Sequence, residues 1–463
     1  MKFLQSILKN KIPLSSTSVE IVEDSKNISV AQGSERALQA IKRHDSIVMI
    51  LGRAGTGKTT LIRSILENEG GNQVVVAPTG VAAVNVGGQT IHSFFRNPPR
   101  LHNLSEIQPR RGGSRLFRNL KRVIIDEISM VRADLLDAID YALQINRKDS
   151  RPFGGVQMIL VGDFLQLPPV VREDEDEILK NMGYATPYAF SAKCLRNSTV
   201  TIIELSKIYR QDSPDYIRML GDLRSGNDAE NAVQSFNHSC HGSHKREVIP
   251  VILTGTNAVA DKYNDLGLKN LPGQAVSYEG IISGEFNLTK DKLPAPEYLT
   301  LKVGSRVMMV KNDKAKKWVN GSLGTIVRLG QDRVWVQLDG KNDEYEVTKV
   351  SWDNIRYEWD NEKQKIEAKV VGSYSQIPII PAWALTIHKA QGLTLENVRV
   401  DLATGAFASG QAYVALSRAR SLQGLSLANA LRVSDVIVDP RLIRFLESLE
   451  GCNGARRLPD VAS

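Results

Sequence analysis

The run Gly52-Arg53-Ala54-Gly55-Thr56-Gly57-Lys58-Thr59-Thr60 has the residue types and spacing of a phosphate cradle. Glycines at its first and sixth positions let backbone N–H groups approach an anion, Lys58 adds a point charge for the outer phosphates, and the Thr59 hydroxyl can ligate Mg²⁺. From average residue usage the pattern arises by accident in about one chain in a hundred. Further on, Val123-Ile-Ile-Asp126-Glu127 ends an apolar run in two carboxylates. Asp126 suits the metal, and Glu127 suits orienting or deprotonating an attacking water, so the pair favours hydrolysis over mere binding. In Ile159-Leu-Val-Gly162-Asp163-Phe-Leu-Gln166-Leu-Pro-Pro169 an amide precedes a proline pair. Gln166 could hydrogen-bond a γ-phosphate; a surface glutamine in a Pro-rich turn would look the same.

Those residues need a scaffold. Apolar runs at 47–51, 74–77, 123–126, 158–163 and 201–205 read as buried strands, with helical patterns such as TTLIRSILE and ADLLDAIDYALQI between them. Buried strands alternating with helices predict a parallel sheet covered on both faces. The cradle falls between a strand and a helix, where helix N-terminal amides face the phosphates. A second α/β pattern starts near Val248 and resumes with VRVDL (398–402) and GQAYVALSRAR. Between them, short strands with Gly, Asn and Asp turns predict a small inserted antiparallel barrel. The expected division is an N-terminal segment 1–29, a first domain 30–210, a second domain 211–300 plus 377–450, a barrel 301–376, and a tail 451–463. Both ends of the chain read as weakly ordered.

The 463 residues exceed one ordinary domain. With 42% hydrophobic and 24% charged residues, the composition is that of a soluble globular protein. Lys plus Arg (59) exceed Asp plus Glu (51), for a net charge of +8. This hints at a polyanion partner, although a merely basic protein would show the same. Cys194, Cys240 and Cys452 are far apart and odd in number, which fits a reducing, cytoplasmic setting. No secretory signal and no membrane-length apolar run is read. His238-x-Cys240-His241-x-x-His244 matches no common zinc spacing and reads as a polar loop.

Seven ordered blocks, GRAGTGKTT, APTGVAAVNVGGQTIHSFF, VIIDEISMV, RPFGGVQMILVGDFLQLPPV, ELSKIYRQD, AWALTIHKAQGLTLE and GQAYVALSRAR, cover about residues 30 to 430. In these blocks the chain resembles superfamily-one (branch B) helicases of the Pif type, and more distantly RecD and Dda. The resemblance implies two RecA-like parallel-sheet domains of the phosphate-loop NTPase kind, a small wedge insertion at about 96–120, and an SH3-like inserted β-barrel. It implies ATP and Mg²⁺ as cofactors and 5′-to-3′ travel on single-stranded DNA. Arg210 and Arg418 would then reach the γ-phosphate when the domains close, with Gly392 beside the nucleotide. Gln32 would read the adenine, with Gln39 as a nearby rival.

The resemblance also implies one strand grip per domain: Thr79, Gly80, His92, Ser93 and Phe94 in the first, and Thr386, His388, Lys389 and Gln391 in the second. Small hydroxyls and loop amides hold phosphates, and His or Phe rings stack on bases, although Phe94 reads equally as core. PRRGGSRLFRNLKR (109–122) carries six Lys/Arg and corresponds to the wedge, or is a solvated basic loop. Lys311, Lys314, Lys316 and Lys317 could touch phosphates or simply be surface lysines. Glu173–Glu177 reads as a solvated acidic loop. The expected partners are single-stranded DNA and single/double-strand junctions, with structured DNA or RNA–DNA hybrids as extensions, no membrane, and a monomeric core. The alternatives are a nucleotide-switched remodelling ATPase and an RNA-active helicase.

Overall fold

A computed structural model describes residues 25–458 apart from 69–70, 99, 111–113, 197, 212, 241–248, 287–292, 316, 361, 364 and 450–453. His241, His244, Lys316, Cys452, most of the N-terminal segment and the Gly-Gly turn of the wedge therefore lie outside the described residues.

The first domain is built on a seven-stranded sheet. Its order is Gly454–Arg457, Thr199–Leu205, Ile47–Gly52, Gln157–Gly162, Arg122–Ile125, Gln73–Ala77 and Gln89–Thr90. Every pairing is parallel except that of the outermost Gly454–Arg457. The strand Ile47–Gly52 is buried throughout because both its faces are covered. Val48 and Ile50 meet Ile41, Leu61 and Ile65 of the helices Ser25–Lys42 and Lys58–Asn68. Ile47 and Met49 face the opposite core, shared with Leu136, Ile139 and Leu143 of the helix Ala133–Arg147. Period-two alternation thus feeds two apolar layers at once.

The second α/β unit has a four-stranded parallel sheet, ordered Ala384–Thr386, Val251–Thr254, Val398–Asp401 and Leu425–Leu427. Five antiparallel strands, Glu344–Thr348, Arg333–Leu338, Leu323–Leu329, Arg306–Met309 and Ile379–Pro381, form the inserted module. The pair Val276–Glu279 and Tyr298–Leu301 shares its core, so antiparallel structure begins upstream of residue 300.

Three features depart from local expectation. The long hairpin Val350–Asp360/Lys365–Gln376 leaves the module and rests on the first domain: the Tyr357 ring lies 5.8 Å from that of Phe94, and the Ile366 amide donates to Asn72. The chain also returns to the first domain at its end. The helix Pro440–Glu447 stacks Phe445 on Phe190 with ring centroids 4.0 Å apart, and Gly454–Arg457, expected as loose tail, pairs along the edge of the first sheet. Finally, Glu173–Glu177 is not a loop. It opens the helix Glu173–Asn181, where acidic side chains complement the positive end of the helix dipole.

Candidate nucleotide and strand-binding site

The phosphate loop joins the buried strand Ile47–Gly52 to the helix starting at Lys58. Gly55 and Gly57 have φ of 80° and 84°, a region glycine enters without steric cost. Gly55 also permits a close approach: a Cβ there would lie 2.6 Å from Cβ of Arg210. Lys58 Nζ donates to the carbonyls of Gly52 (2.7 Å) and Arg53 (3.0 Å), folding over the cradle. Burial pushes its pKa down, against the pull of Asp163, Glu127 and Asp126. Thr59 and Thr60 are exposed at the helix start, while Ala54 and Thr56 are buried.

Asp126 and Glu127 sit at the carboxyl end of Arg122–Ile125. Burial, then the neighbouring Glu127 charge, raises the Asp126 carboxyl to about 7. Glu127 is also raised by burial, offset by Lys58 and Arg418. Its φ of 53° is left-handed, a conformation that costs a non-glycine residue about 1 kcal/mol. The Glu127 amide closes on Asp126 Oδ1 at 2.9 Å.

Gln166 is buried and donates to Asp163 Oδ2 at 3.2 Å. Asp163 in turn receives Arg224, on the helix Pro214–Ser225, at 2.8 Å. From the second domain, Gln391 Nε2 donates to Glu127 Oε2 (3.1 Å) and approaches Gln166 Oε1 (3.5 Å). The structure thus gathers Lys58, Asp126, Glu127, Gln166 and Gln391 around one cleft.

Both arginines are at the same seam, held by carbonyls. Arg210 reaches Thr394 Oγ1 (2.9 Å), Gly392 O (3.2 Å) and Ser417 O (3.3 Å). Arg418 is 1% exposed and donates to Val414 O, Leu393 O and Ser417 Oγ. Burial, then the Arg210 charge, pushes its pKa down. Gly410 starts the helix that carries Arg418 toward the cleft, and a Cβ there would meet Leu165 O at 2.4 Å, so glycine permits the contact between domains.

The two segments expected to grip a strand share one local geometry. Thr79 Oγ1 accepts from Ala82 N at 3.2 Å, and its carbonyl accepts from Ala83 N at 3.0 Å. Thr386 Oγ1 accepts from Lys389 N at 3.3 Å, and its carbonyl accepts from Ala390 N at 3.0 Å. Each threonine therefore closes an equivalent turn after a parallel strand. Gly80 begins the next helix in the first domain; His388 and Lys389 are exposed in the second. His92 Nδ1 lies 3.1 Å from Asn97 O, and Ser93 is exposed. Phe94 is different. It is 1% exposed, packed against Phe95, Phe117 and Tyr357, and offers no open face to a base. The docked hairpin and the helix Ser114–Asn119 cover it. Gln32 lies on the helix Ser25–Lys42, but its side chain is outside the described residues.

Sequence reasoning missed several participants. The Tyr413 hydroxyl accepts from the Ala54 amide at 3.2 Å across the seam. Gln211 donates to the carbonyls of Ser417 and Ala419, both at 3.1 Å, and Arg224 pairs with Asp163. Tyr209, 55% exposed, lies beside Gly57 and takes Lys207 over its ring, presenting an aromatic face at the loop. Tyr209 and Gln211 were findable, since both adjoin Arg210; Tyr413 and Arg224 have no local spacing signal. The wedge segment is tied down by His102 N to Asp134 and Arg110 N to Asn146, with Phe117 in the core. Lys311 bonds the Ser351 carbonyl beneath the Trp352 ring. Among the described residues no cluster of three metal-ligating side chains occurs, and no helix is long and apolar enough to cross a membrane.

The profile of the PIF1-like helicase family matches residues 31–232. The ATP-dependent DNA helicase Pif1 of Bdellovibrio bacteriovorus is 33% identical, with 87% of this chain and 89% of that protein covered. The human ATP-dependent DNA helicase PIF1 is 34% identical over 89% of this chain, which spans only 62% of the human protein's length. Among solved structures, Bacteroides Pif1 with ADP-AlF4 superposes with a TM-score of 0.84 at 32% identity, covering 92% of this chain and 99% of that one. The same relative bound to ssDNA gives 0.66 at the same identity, covering 93% and 99%. Seven motif blocks, two parallel sheets meeting at one cleft and this similarity over most of its length lead to one conclusion: the chain belongs to the PIF1-like helicase family.

Proposed function

We propose that the chain is an ATP-dependent DNA helicase that travels 5′-to-3′ on single-stranded DNA and opens the duplex ahead of it. One observation carries the reading: the Gln391 amide, from the second grip, bonds the Glu127 carboxylate and approaches Gln166. A change at the nucleotide is thereby felt by a residue next to the strand. The relatives' names and the ADP-AlF4 and ssDNA complexes of Bacteroides Pif1 support both ligands.

ATP phosphates would seat on the amides at the start of the helix Lys58–Asn68, drawing Lys58 from the carbonyls it now holds. Thr59 and Asp126 suit Mg²⁺: both donate oxygen, Asp126 has no cationic hydrogen-bond partner among the described residues, and such a site needs few protein ligands. When bound, Mg²⁺ neutralises charge on the β- and γ-oxygens. Glu127, raised by burial, is a base able to take the proton of an attacking water, while Gln166 orients toward the γ-phosphate. Arg210 and Arg418 supply charge to the transition state once they exchange their carbonyl partners for phosphate oxygens. Closure and reopening of the cleft would move the Thr79 and Thr386 grips relative to each other, feeding the strand past the wedge at 96–120. The working partners are single-stranded DNA and its junctions with duplex, met by a monomer in the cytoplasm during replication, recombination or repair.

Strand separation on duplexes with either a 5′ or a 3′ single-stranded tail tests this. Opening of the 5′-tailed substrate, dependent on ATP, is expected. Opening of only the 3′-tailed substrate would reverse the polarity, and opening of neither would leave a switched ATPase.

A further inference from the structure

At the edge of the first sheet opposite the phosphate loop lies a half-open cavity of about 450 Å³. It is built where four parallel strands begin: Ser46 precedes Ile47, Asn72 precedes Gln73, Lys121 precedes Arg122, and Gln157 opens its own strand. Open parallel sheets bind ligands at the carboxyl ends of their strands, which is where the nucleotide cleft is. A six-residue strand separates the two edges by roughly 17–20 Å. The cavity is not part of the cleft.

Its chemistry has one sign. Among the described residues His44, Arg118, Lys121 and Arg147 line it, with Asn72 and Asn119 between them and no carboxylate. The acids next to these positions in sequence are turned elsewhere. Asp45 takes Arg43 and Thr201, and Asp149 takes Arg151. Leu120 is the single apolar residue among the lining side chains, so an apolar ligand would gain little. Arg147 is fixed by carbonyls rather than by an acid: Nη1 donates to Leu120 O (2.9 Å) and Arg118 O (3.0 Å). Asp149 attracts its charge from a distance, but among the described residues no carboxylate is its hydrogen-bond partner, so the carbonyls set its position. Gln157 is equally fixed, between Arg122 and the carbonyls of Ile41 and Asp45. Lys121 Nζ has no hydrogen-bond or ion-pair partner among the described residues, leaving three donors on a flexible stem. A rigid wall with one anchored guanidinium and two cations at its mouth suits an anion with several acceptor oxygens.

We propose that this cavity is a second anion site, taking a phosphate group; because Arg118 belongs to the segment proposed as the wedge, the duplex source rests on the helicase reading, whereas the free-anion source does not. The phosphate could come from a free polyphosphate or from the backbone of duplex DNA lying along the helix Ser114–Asn119. The two sources are separable. In the first arm, pyrophosphate is titrated calorimetrically into the full chain carrying Lys58→Ala, with and without Arg118→Gln/Lys121→Gln. In the second, binding of a blunt duplex is followed against salt for the wild type, the Arg118→Gln/Lys121→Gln pair, and Arg115→Gln, which alters the same helix away from the cavity.

A pyrophosphate affinity that falls at least tenfold with the pair supports the site with a free anion as its ligand. If pyrophosphate does not bind, a duplex affinity that falls with the pair, its log–log salt slope shallower by about 1.8, supports the site with DNA as its ligand. Should the pair match wild type in both arms, or should Arg115→Gln alone cost duplex binding as much as the pair does, the proposal is overturned. If the pair shifts the thermal midpoint by more than a few degrees, Lys121→Gln alone gives the same reading, since it breaks no contact.

Discussion

Replacing Arg224 by Met removes the partner of a buried carboxylate and should be among the costliest single changes in the cleft. Asp163 is 1% exposed, and Arg224, 17% exposed, meets it at 2.8 Å from the facing helix. The same carboxylate holds Gln166 Nε2 at 3.2 Å and Leu165 N at 3.3 Å. Breaking a buried pair by deleting one member costs about 3–5 kcal/mol, because the other charge stays buried. Lys58 and the two remaining hydrogen bonds compensate in part, which places the loss near the lower limit, about 3 kcal/mol. For a folding unit of some 200 residues that is a drop of roughly 6–12 °C in thermal midpoint. Calorimetry of the nucleotide-free chain, with Asp163→Asn and the double variant completing the cycle, should give a coupling of about 2 kcal/mol or more. The pH dependence adds a second check. In the wild type, burial pushes the Asp163 carboxyl up, but Arg224 and Lys58 overcome this and hold it below its ordinary value. Its contribution is therefore present above about pH 4 and lost only as pH falls through the lower native pKa. In Arg224→Met burial is less opposed, the carboxyl takes up a proton more readily, and the deficit should shrink from pH 8 to pH 5. A loss under about 1 kcal/mol, or a deficit equal at both pH values, would refute the reasoning.

Lys58→Ala should reduce ATP turnover at least a hundredfold, since it removes the point charge over the cradle; phosphate release decides, and retained turnover contradicts the site. Asp126→Asn should stabilise the nucleotide-free protein by about 3 kcal/mol at pH 8, with the gain fading toward pH 5. The carboxyl, raised to about 7, binds more protons folded than unfolded between pH 4 and 7, so native stability falls as pH rises through that window; a pH-independent difference would be inconsistent. Phe445→Ala should cost about 3–5 kcal/mol, and the unfolding transition that moves should be that of the first domain, because the ring stacks on Phe190 and meets Phe164 edge-on. Movement of the second domain's transition alone would argue against the docking of the helix Pro440–Glu447 on the first domain.

The phosphate loop, the strands behind it and the Asp126-Glu127 pair were readable because each depends on neighbours within a dozen residues. A buried strand shows as an apolar run, a cradle as spaced glycines, and a helix start as the break between them. The two threonine turns are equally local, although their reading as strand grips came from the family resemblance. Thr79 and Thr386 close their turns on amides three and four residues on, so both motifs carry their geometry with them. Phe94 was ambiguous for a physical reason: a large ring after a helix start can face core or ligand, and here the answer came from Tyr357, 263 positions away, whose ring lies against it.

By itself, then, the sequence determined the two α/β halves, the inserted antiparallel module and the nucleotide loop with its Asp126-Glu127 pair, which follow from local periodicity and turn chemistry, while Arg210, Arg418 and Gln391 were reached through the family resemblance. Only the tertiary structure decided how the halves meet. Tyr413 reaches Ala54 across 359 residues, Gln391 reaches Glu127 across 264, and Arg224 reaches Asp163 across 61. The return of residues 440–458 to the first sheet and the docking of the hairpin on Phe94 are of the same kind. Such contacts leave no period or spacing in the chain, because their partners are chosen by which surfaces can be buried together once each half has folded.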